Sequence, residues 1–277
     1  MRGESHSGIS LCHSLLLEGG GIVSLVGAGG KTTLLFRLAR ALAELGEKVL
    51  VTTTTHMMPP DGALFSAVIL SPDPNRLLEE AEILQASGKP LYVASAQDER
   101  GKLVGLKPES VQWLFSSGLF EWVLVEADGA AQRPLKAPAA HEPVIPRETG
   151  WVVGVVGLDA IGRPLAEQWV FRHEQYARLC QVLPAEPVTP QSVARLVNHP
   201  QGLFKNTPGG ALRILWLNKA DLPGRVEEAR KVAEALMKSQ RLEPRRIVVG
   251  CARGDNPVSC ILDPPLDREA KREGALP

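Results

Sequence analysis

Short, almost continuous apolar runs alternate with amphipathic segments between residues 22 and 249. The runs predict buried strands at residues 22–26, 48–51, 67–70, 91–95, 122–125, 151–156, 212–217 and 246–249. Between them, apolar positions that recur every three or four residues predict helices at residues 34–43, 74–86, 108–117, 172–180, 190–197 and 226–237. Strands that are apolar on both faces and separated by helices are typical of a mostly parallel sheet. The pattern therefore predicts a three-layer α/β fold, with helices on both faces of a mostly parallel sheet.

A glycine-rich loop connects the first predicted strand to the first predicted helix. Glycines let backbone N–H groups converge on phosphate oxygens, and a helix N-terminus adds a positive partial charge. We therefore expect a phosphate loop and a fold like that of phosphate-loop NTPases. The expected nucleotide-binding residues here are Gly27, Ala28, Gly29, Gly30, Lys31, Thr32 and Thr33.

Each polar residue of the loop has an expected role. Lys31, as an exposed loop residue, reaches the β- and γ-phosphates, Thr32 binds Mg²⁺, and Thr33 contacts the α-phosphate. The usual eight-residue pattern has a glycine where this chain has Leu25, so the loop is two residues short and modest affinity is expected. A tight Rossmann-type turn with a solvated Lys31 is the alternative interpretation.

Two acidic residues follow the apolar run at residues 122–125. Glu126 and Asp128 lie where phosphate-loop proteins hold Mg²⁺, and they point to one face if the strand continues to Asp128. The expected metal ligands are Thr32, Glu126 and Asp128, and the expected catalytic residues are Lys31, Glu126 and Asp128. Asp128 before Gly129 is otherwise only a turn.

The run at residues 212–217 ends in Asn218-Lys219-Ala220-Asp221. In this arrangement the Asp221 carboxylate accepts two hydrogen bonds from guanine N1–H and the exocyclic amine, which adenine cannot supply. Asn218 fixes the loop, and the stem of Lys219 covers the base. The motif predicts that GTP is preferred to ATP, and the alternative is an ordinary turn.

A proline-rich segment at residues 136–146 follows the acidic strand end. Prolines stiffen it, which suits a loop that presents Lys136, His141 and Glu142 in fixed geometry as a client or switch site. Thr54, in the threonine run at residues 52–55, is a further candidate for that site. A rigid crossing loop with solvated side chains is the alternative.

Together these motifs resemble the YqeC family over about residues 10–255. The resemblance rests on residues 26–33, 52–55, 126–130, 136–138, 141–146 and 218–221. That family is described as accessory proteins of selenium-dependent molybdenum hydroxylases, and the parts are more distantly similar to metallochaperone-type GTPases. The resemblance implies a nucleotide-dependent maturation factor, whose expected partner is a molybdenum hydroxylase or a cofactor-maturation protein. Together with the motif residues it predicts Mg²⁺-dependent binding and hydrolysis of GTP, or else of ATP.

The composition excludes some classes of protein but does not identify a substrate. Lys and Arg number 31 and Asp and Glu number 31, so no charge excess favours nucleic acid or a membrane surface. The absence of a long apolar run and of Cys-x-x-Cys spacing predicts a cytoplasmic protein without a zinc site. We expect a single nucleotide-binding domain at residues 1–262, a charged tail at residues 263–277, and either a monomer or a homodimer.

Two other functions use the same motifs. An ATP-dependent small-molecule kinase or ligase would need an additional acceptor pocket, which residues 136–146 could line. A non-catalytic GTP-binding switch would need moving loops but no turnover.

Overall fold

The structure, a computed structural model, describes residues 11–60, 63–239 and 243–264. Its strands are β1 Gly21–Gly27, β2 Val49–Thr53, β3 His56–Met57, β4 Val68–Leu70, β5 Leu91–Ala94, β6 Ala96–Gln97, β7 Leu103–Val104, β8 Trp122–Glu126, β9 Leu135–Lys136, β10 Thr149–Gly157, β11 Val170–Phe171, β12 Leu212–Asn218, β13 Arg246–Gly250 and β14 Val258–Leu262. Its α-helices are α1 Lys31–Glu44, α2 Pro74–Leu84, α3 Pro108–Ser116, α4 His173–Cys180, α5 Pro190–Asn198 and α6 Arg225–Lys238. The predicted strands and helices are confirmed to within a few residues at their ends.

A nine-stranded sheet runs through the molecule in the order β14-β13-β12-β10-β1-β8-β2-β5-β4. Its neighbours pair in parallel, except β13 and β14, which are antiparallel. Strand β8 lies between β1 and β2, so Glu126 is in register with Leu25 on one side and Thr53 on the other. Because the paired strands run the same way, their carboxyl ends meet at one edge, where every polar motif of the sequence lies.

Alternating residues of each interior strand pack on opposite faces of the sheet. Val23 and Leu25 contact the core beneath α1 and the helical residues 11–14, whereas Ile22 and Val26 contact the core beneath α2 to α6. The predicted three-layer α/β architecture is confirmed, and the helices are divided unevenly between the two faces.

Several helices begin where the sequence supplies a cap. The Asp73 carboxylate accepts a hydrogen bond from the Asn75 amide at the start of α2, and Thr189 and Ser192 form a capping box at the start of α5. Helix α1 begins differently, after Gly30 in a left-handed conformation without a side-chain cap. The N–H groups at its N-terminus are therefore available to acceptors other than a capping side chain.

Short strands outside the main sheet were not predicted from the sequence. Strand β9 pairs with β11 in parallel, and β3, β7 and β6 form an antiparallel sheet. Each has two residues, which is too short for a periodic pattern. Strand β14 was also missed because its exposure alternates along an edge strand, so it lacks a continuous apolar run.

No described helix is both long and apolar enough to cross a membrane. Of the predicted charged tail, residues 265–277 lie outside the described residues. The single domain at residues 1–262 stays a prediction.

Candidate functional site

The loop between β1 and α1 needs its glycines for both conformation and space. Gly27, Gly29 and Gly30 have φ angles of 91°, 85° and 120°, which favour glycine. A Cβ atom at Gly29 would lie 2.3 Å from the amide nitrogen of Gly157 and 2.5 Å from the carbonyl oxygen of Pro134. The loop therefore packs against the backbone of Pro134 and Gly157 too closely for a larger residue at Gly29.

The first three amides of the loop already have acceptors within the protein. Gly27 donates to Asp128 Oδ2 at 3.0 Å, Ala28 to the carbonyl of Val155 at 2.9 Å, and Gly29 to that of Arg133 at 3.1 Å. The amides of residues 31–33 form the first turn of α1, where a helix leaves its N–H groups without intrahelical acceptors. An anion at this loop would therefore be bound chiefly at the helix N-terminus.

Lys31 is buried in an ion-paired cluster. Its side chain is 3% exposed, and its Nζ lies 3.2 Å from Asp128 Oδ1 and 3.9 Å from Glu126 Oε1. The ammonium also donates to the carbonyl of Gly27 at 2.7 Å. The expectation of an exposed loop lysine is wrong, because two buried carboxylates at the end of β8 draw the ammonium inward. Burial alone would lower the pKa of Lys31, but Asp128 and Glu126 outweigh it and raise that pKa, so the group stays charged.

The three predicted metal ligands lie together beside this lysine. Thr32 Oγ1 donates to Glu126 Oε2 at 2.7 Å. Burial raises the pKa of Glu126, against the opposing effects of Lys31 and of the Thr32 hydroxyl. Asp128 Oδ1 is buried and has no partner within the described residues besides the ammonium of Lys31 at 3.2 Å. A hydroxyl and two carboxylates form an oxygen donor set of the kind that Mg²⁺ prefers, so these residues fit the predicted ion.

The cluster continues through Lys136 to Glu142 and Arg172. Lys136 is 1% exposed, and its Nζ lies 2.9 Å from Asp128 Oδ2 and 2.7 Å from Glu142 Oε2. The Arg172 guanidinium binds both oxygens of Glu142, at 2.6 and 3.1 Å. Burial would raise the pKa of Glu142, but the hydrogen bonds from Arg172 and the charge of Lys136 lower it to about 2. Three cations thus face three carboxylates.

The other two residues of the predicted client or switch site lie apart from these charges. Thr54 Oγ1 donates to the carbonyl of Val144 at 2.7 Å and so ties the end of β2 to residues 136–146. His141 is exposed and does not share the buried geometry of Lys136 and Glu142. The segment presents one buried ion pair, and its histidine faces outward.

Asn218 joins the predicted guanine motif to the glycine loop. Its Nδ2 donates to the carbonyl of Gly29 at 2.7 Å, and its Oδ1 accepts from the amide of Ala252 at 3.0 Å. The side chain is buried, although the two motifs lie almost two hundred residues apart in sequence. The structure therefore brings the loop, the end of β12 and the segment after β13 to one place.

Lys219 and Asp221 complete the turn. Lys219 has a positive φ of 67°, and its Nζ contacts Asp159 Oδ2 at 2.6 Å. Asp221 is exposed, so its carboxylate is accessible to a base. Thr33 is partly exposed in the first turn of α1.

The sequence did not indicate three residues that the structure adds to this region, Asp159, Arg172 and Ala252. Each lies outside a recognisable motif and reaches the site only through the fold. The sequence held one signal for Arg172. The acidic residues of the motifs outnumber their lysines, which indicates that another cation is needed to pair with them.

Comparisons with known proteins agree on the family. The family model described as YqeC protein matches residues 23–174, which include the glycine loop, both acids, Lys136 and Arg172. "Uncharacterized protein YqeC" of Escherichia coli (strain K12) is 37% identical over 198 residues, covering 72% of this chain and 75% of that protein.

Two solved structures are more distantly similar. FtsY from Mycoplasma mycoides has 15% identity and a TM-score of 0.36, covering 91% of this chain and 66% of that one. The signal recognition particle receptor FtsY from Elizabethkingia anophelis has 15% identity and a TM-score of 0.30, covering 90% and 58%. This chain spans less than two thirds of either structure, and TM-scores this low say nothing about function. The family model and the Escherichia coli relative show that the chain belongs to the YqeC family.

Proposed function

We propose that this protein binds and hydrolyses a nucleoside triphosphate with Mg²⁺, and that GTP is the preferred nucleotide. The bond from Asn218 Nδ2 to the carbonyl of Gly29 carries the proposal, because it links a candidate phosphate loop to a candidate base-reading turn. The support is that one buried amide joins the two motifs although 189 residues separate them in the chain.

The roles of the residues follow from their positions. The first-turn amides of α1 bind phosphate oxygens, and Lys31 exchanges its carboxylates for the β- and γ-phosphates. Thr32 and one of the two acids, Glu126 or Asp128, would hold Mg²⁺, which neutralises phosphate charge when bound. The other acid would orient the attacking water. Asp221 reads the base, and Lys219, held by Asp159, covers it.

The biological role proposed for this activity is maturation of a molybdenum or selenium hydroxylase, or of its cofactor. The support is the family resemblance, and the proposal places the protein in the cytoplasm with a hydroxylase or maturation protein as partner. The proposal includes a homodimer, which measurement of the molar mass in solution would test.

Calorimetric titration with GTP, ATP and XTP, with and without Mg²⁺, tests the nucleotide proposal. Asp221→Asn exchanges an acceptor for a donor, so the variant should lose affinity for GTP and gain affinity for XTP. Simple damage to the loop would lower all affinities equally. A wild-type preference for ATP would contradict the guanine assignment and favour the small-molecule kinase.

Turnover is tested separately from binding. Phosphate release from GTP without any added acceptor should be measurable, and Glu126→Gln or Asp128→Asn should reduce it. GTP binding without phosphate release would instead favour the non-catalytic switch.

A further inference from the structure

The Asp128 carboxylate is surrounded by donors of the kind that a phosphate group accepts. Its Oδ2 receives the amide of Gly27 at 3.0 Å and faces Lys136 Nζ at 2.9 Å. Its Oδ1 faces Lys31 Nζ at 3.2 Å. A glycine-loop amide and two ammonium groups together form an anion site, and here an internal carboxylate fills it.

Lys136 is held firmly beside the loop. Its three donors are all used, on the carbonyl of Gly129 at 2.6 Å and on the carboxylates of Glu142 and Asp128. The segment that carries it is fixed to the loop and to β10, because Gly29 donates to the carbonyl of Arg133 and Gly157 to that of Pro134. Any anion that displaces the Asp128 carboxylate therefore meets a second ammonium group already in place.

We infer that Lys136 determines specificity for the triphosphate, with the terminal phosphate taking the position that Asp128 occupies between Lys31 and Lys136. This inference rests on the proposed nucleotide function and extends it. The spacing between the two oxygens of a carboxylate is similar to the spacing between two oxygens of a phosphate. The same set of donors can therefore bind either group. A diphosphate has no terminal group to reach Lys136, so it binds through Lys31 and the helix N-terminus alone. Glu142 keeps both Lys136 and Arg172 as partners, because the phosphate replaces only Asp128 among the three acceptors of Lys136.

The test compares the Kd of a non-hydrolysable triphosphate analogue with the Kd of the matching diphosphate, for whichever base the wild type prefers. Lys136→Met should weaken triphosphate binding about tenfold or more, because one charge-assisted contact is lost. Diphosphate binding should change less than about twofold, since no contact with Lys136 is involved. The titrations are repeated in EDTA, where Lys136→Met should change the ratio of the two affinities by the same factor, because Lys136 contacts the phosphate directly.

Two further variants keep the result interpretable. Lys136→Met combined with Glu142→Gln keeps the charges of the cluster balanced, and should show the same loss of triphosphate preference if the single variant does not fold. Lys205→Met is the matched control, because its ammonium binds the carbonyls of Ala139 and Ala140 in the same segment. This control should leave the ratio of the two affinities unchanged.

The outcomes separate the inference from the function on which it rests. Equal weakening of both nucleotides, or no change in their ratio in the balanced variant, would overturn the role of Lys136. A wild-type protein that binds neither nucleotide would overturn the proposed function itself.

Discussion

At the scale of single residues, the burial of Lys31 changes what its removal would do. Lys31→Ala should abolish nucleotide binding and also lower the free energy of unfolding by about 3 kcal/mol, because Glu126 and Asp128 lose a buried counter-ion. Urea denaturation followed by calorimetric titration measures both effects. Lys231→Ala, which removes only a surface pair with Glu228, should leave the midpoint nearly unchanged. An unaltered midpoint for Lys31→Ala would contradict the buried cluster.

Glu142 should make stability depend on acid pH. The folded pKa of about 2 is lower than the ordinary value of 4.5, so the stabilisation is complete above pH 4.5 and is lost as the pH falls towards 2. The loss should be on the order of 2–3 kcal/mol. Denaturation midpoints measured across that interval give the slope, and Glu142→Gln should flatten it. An equally steep slope in the variant would assign the acid sensitivity to other carboxylates.

At the scale of elements, Asn218 connects the glycine loop, β12 and the segment after β13. Asn218→Ala should leave the carbonyl of Gly29 and the amide of Ala252 without their partner, at a cost of about 1–3 kcal/mol. It should also weaken nucleotide binding, because the base-reading turn is no longer attached to the loop. Thermal denaturation and titration measure the two effects, and the control is Asn206→Gly, which loses a bond to the carbonyl of Pro143 and tolerates the positive φ of 59° at this position. Loss of stability with unchanged affinity would show that the turn does not contact the ligand.

Elements were predictable from the sequence where their pattern is local and long enough. Interior strands such as β10 are apolar on both faces, and helices such as α5 have a clear apolar stripe, so both were located correctly. Strand β14 was missed because one side of it is exposed at the edge of the sheet. The two-residue strands β9 and β11 depend on pairing with each other, which no local pattern contains.

The residues of the candidate site also fall into two groups, those that a local sequence pattern predicts and those that only the fold brings to the site. Lys31, Glu126 and Asn218 were found because each follows an apolar run, and parallel strands bring such positions to one edge of the sheet. The burial of Lys31 and its pairing with Asp128 arise from packing between β1 and β8, so they were not predictable. Arg172 reaches Glu142 across 30 residues of chain, which only the fold determines.

At the scale of the whole molecule, the extent of the domain can be tested at its C-terminal end. A chain that ends at residue 264 keeps β14 and the paired contacts between Arg246 and Asp263. It should melt within about 2 °C of the full chain. A chain that ends at residue 256 loses the strand that covers β13, and should melt at least about 5 °C lower. Equal melting of both truncated chains would show that the domain ends before β14.

The uneven distribution of helices over the sheet also has a consequence for the response to a ligand. Helix α1 starts at the phosphate loop, and its buried leucines, Leu34, Leu35, Leu38 and Leu42, pack in the core of one face. Arg37 on the same helix donates to the carbonyl of Asp255, beyond β13. An anion that steadies the first turn of α1 would therefore slow amide hydrogen exchange along that helix and in the segment after β13, while α2 and α3, on the opposite face, would exchange as before. Binding of one ligand would thus change the rate of amide hydrogen exchange on one face of the sheet and leave it unchanged on the other.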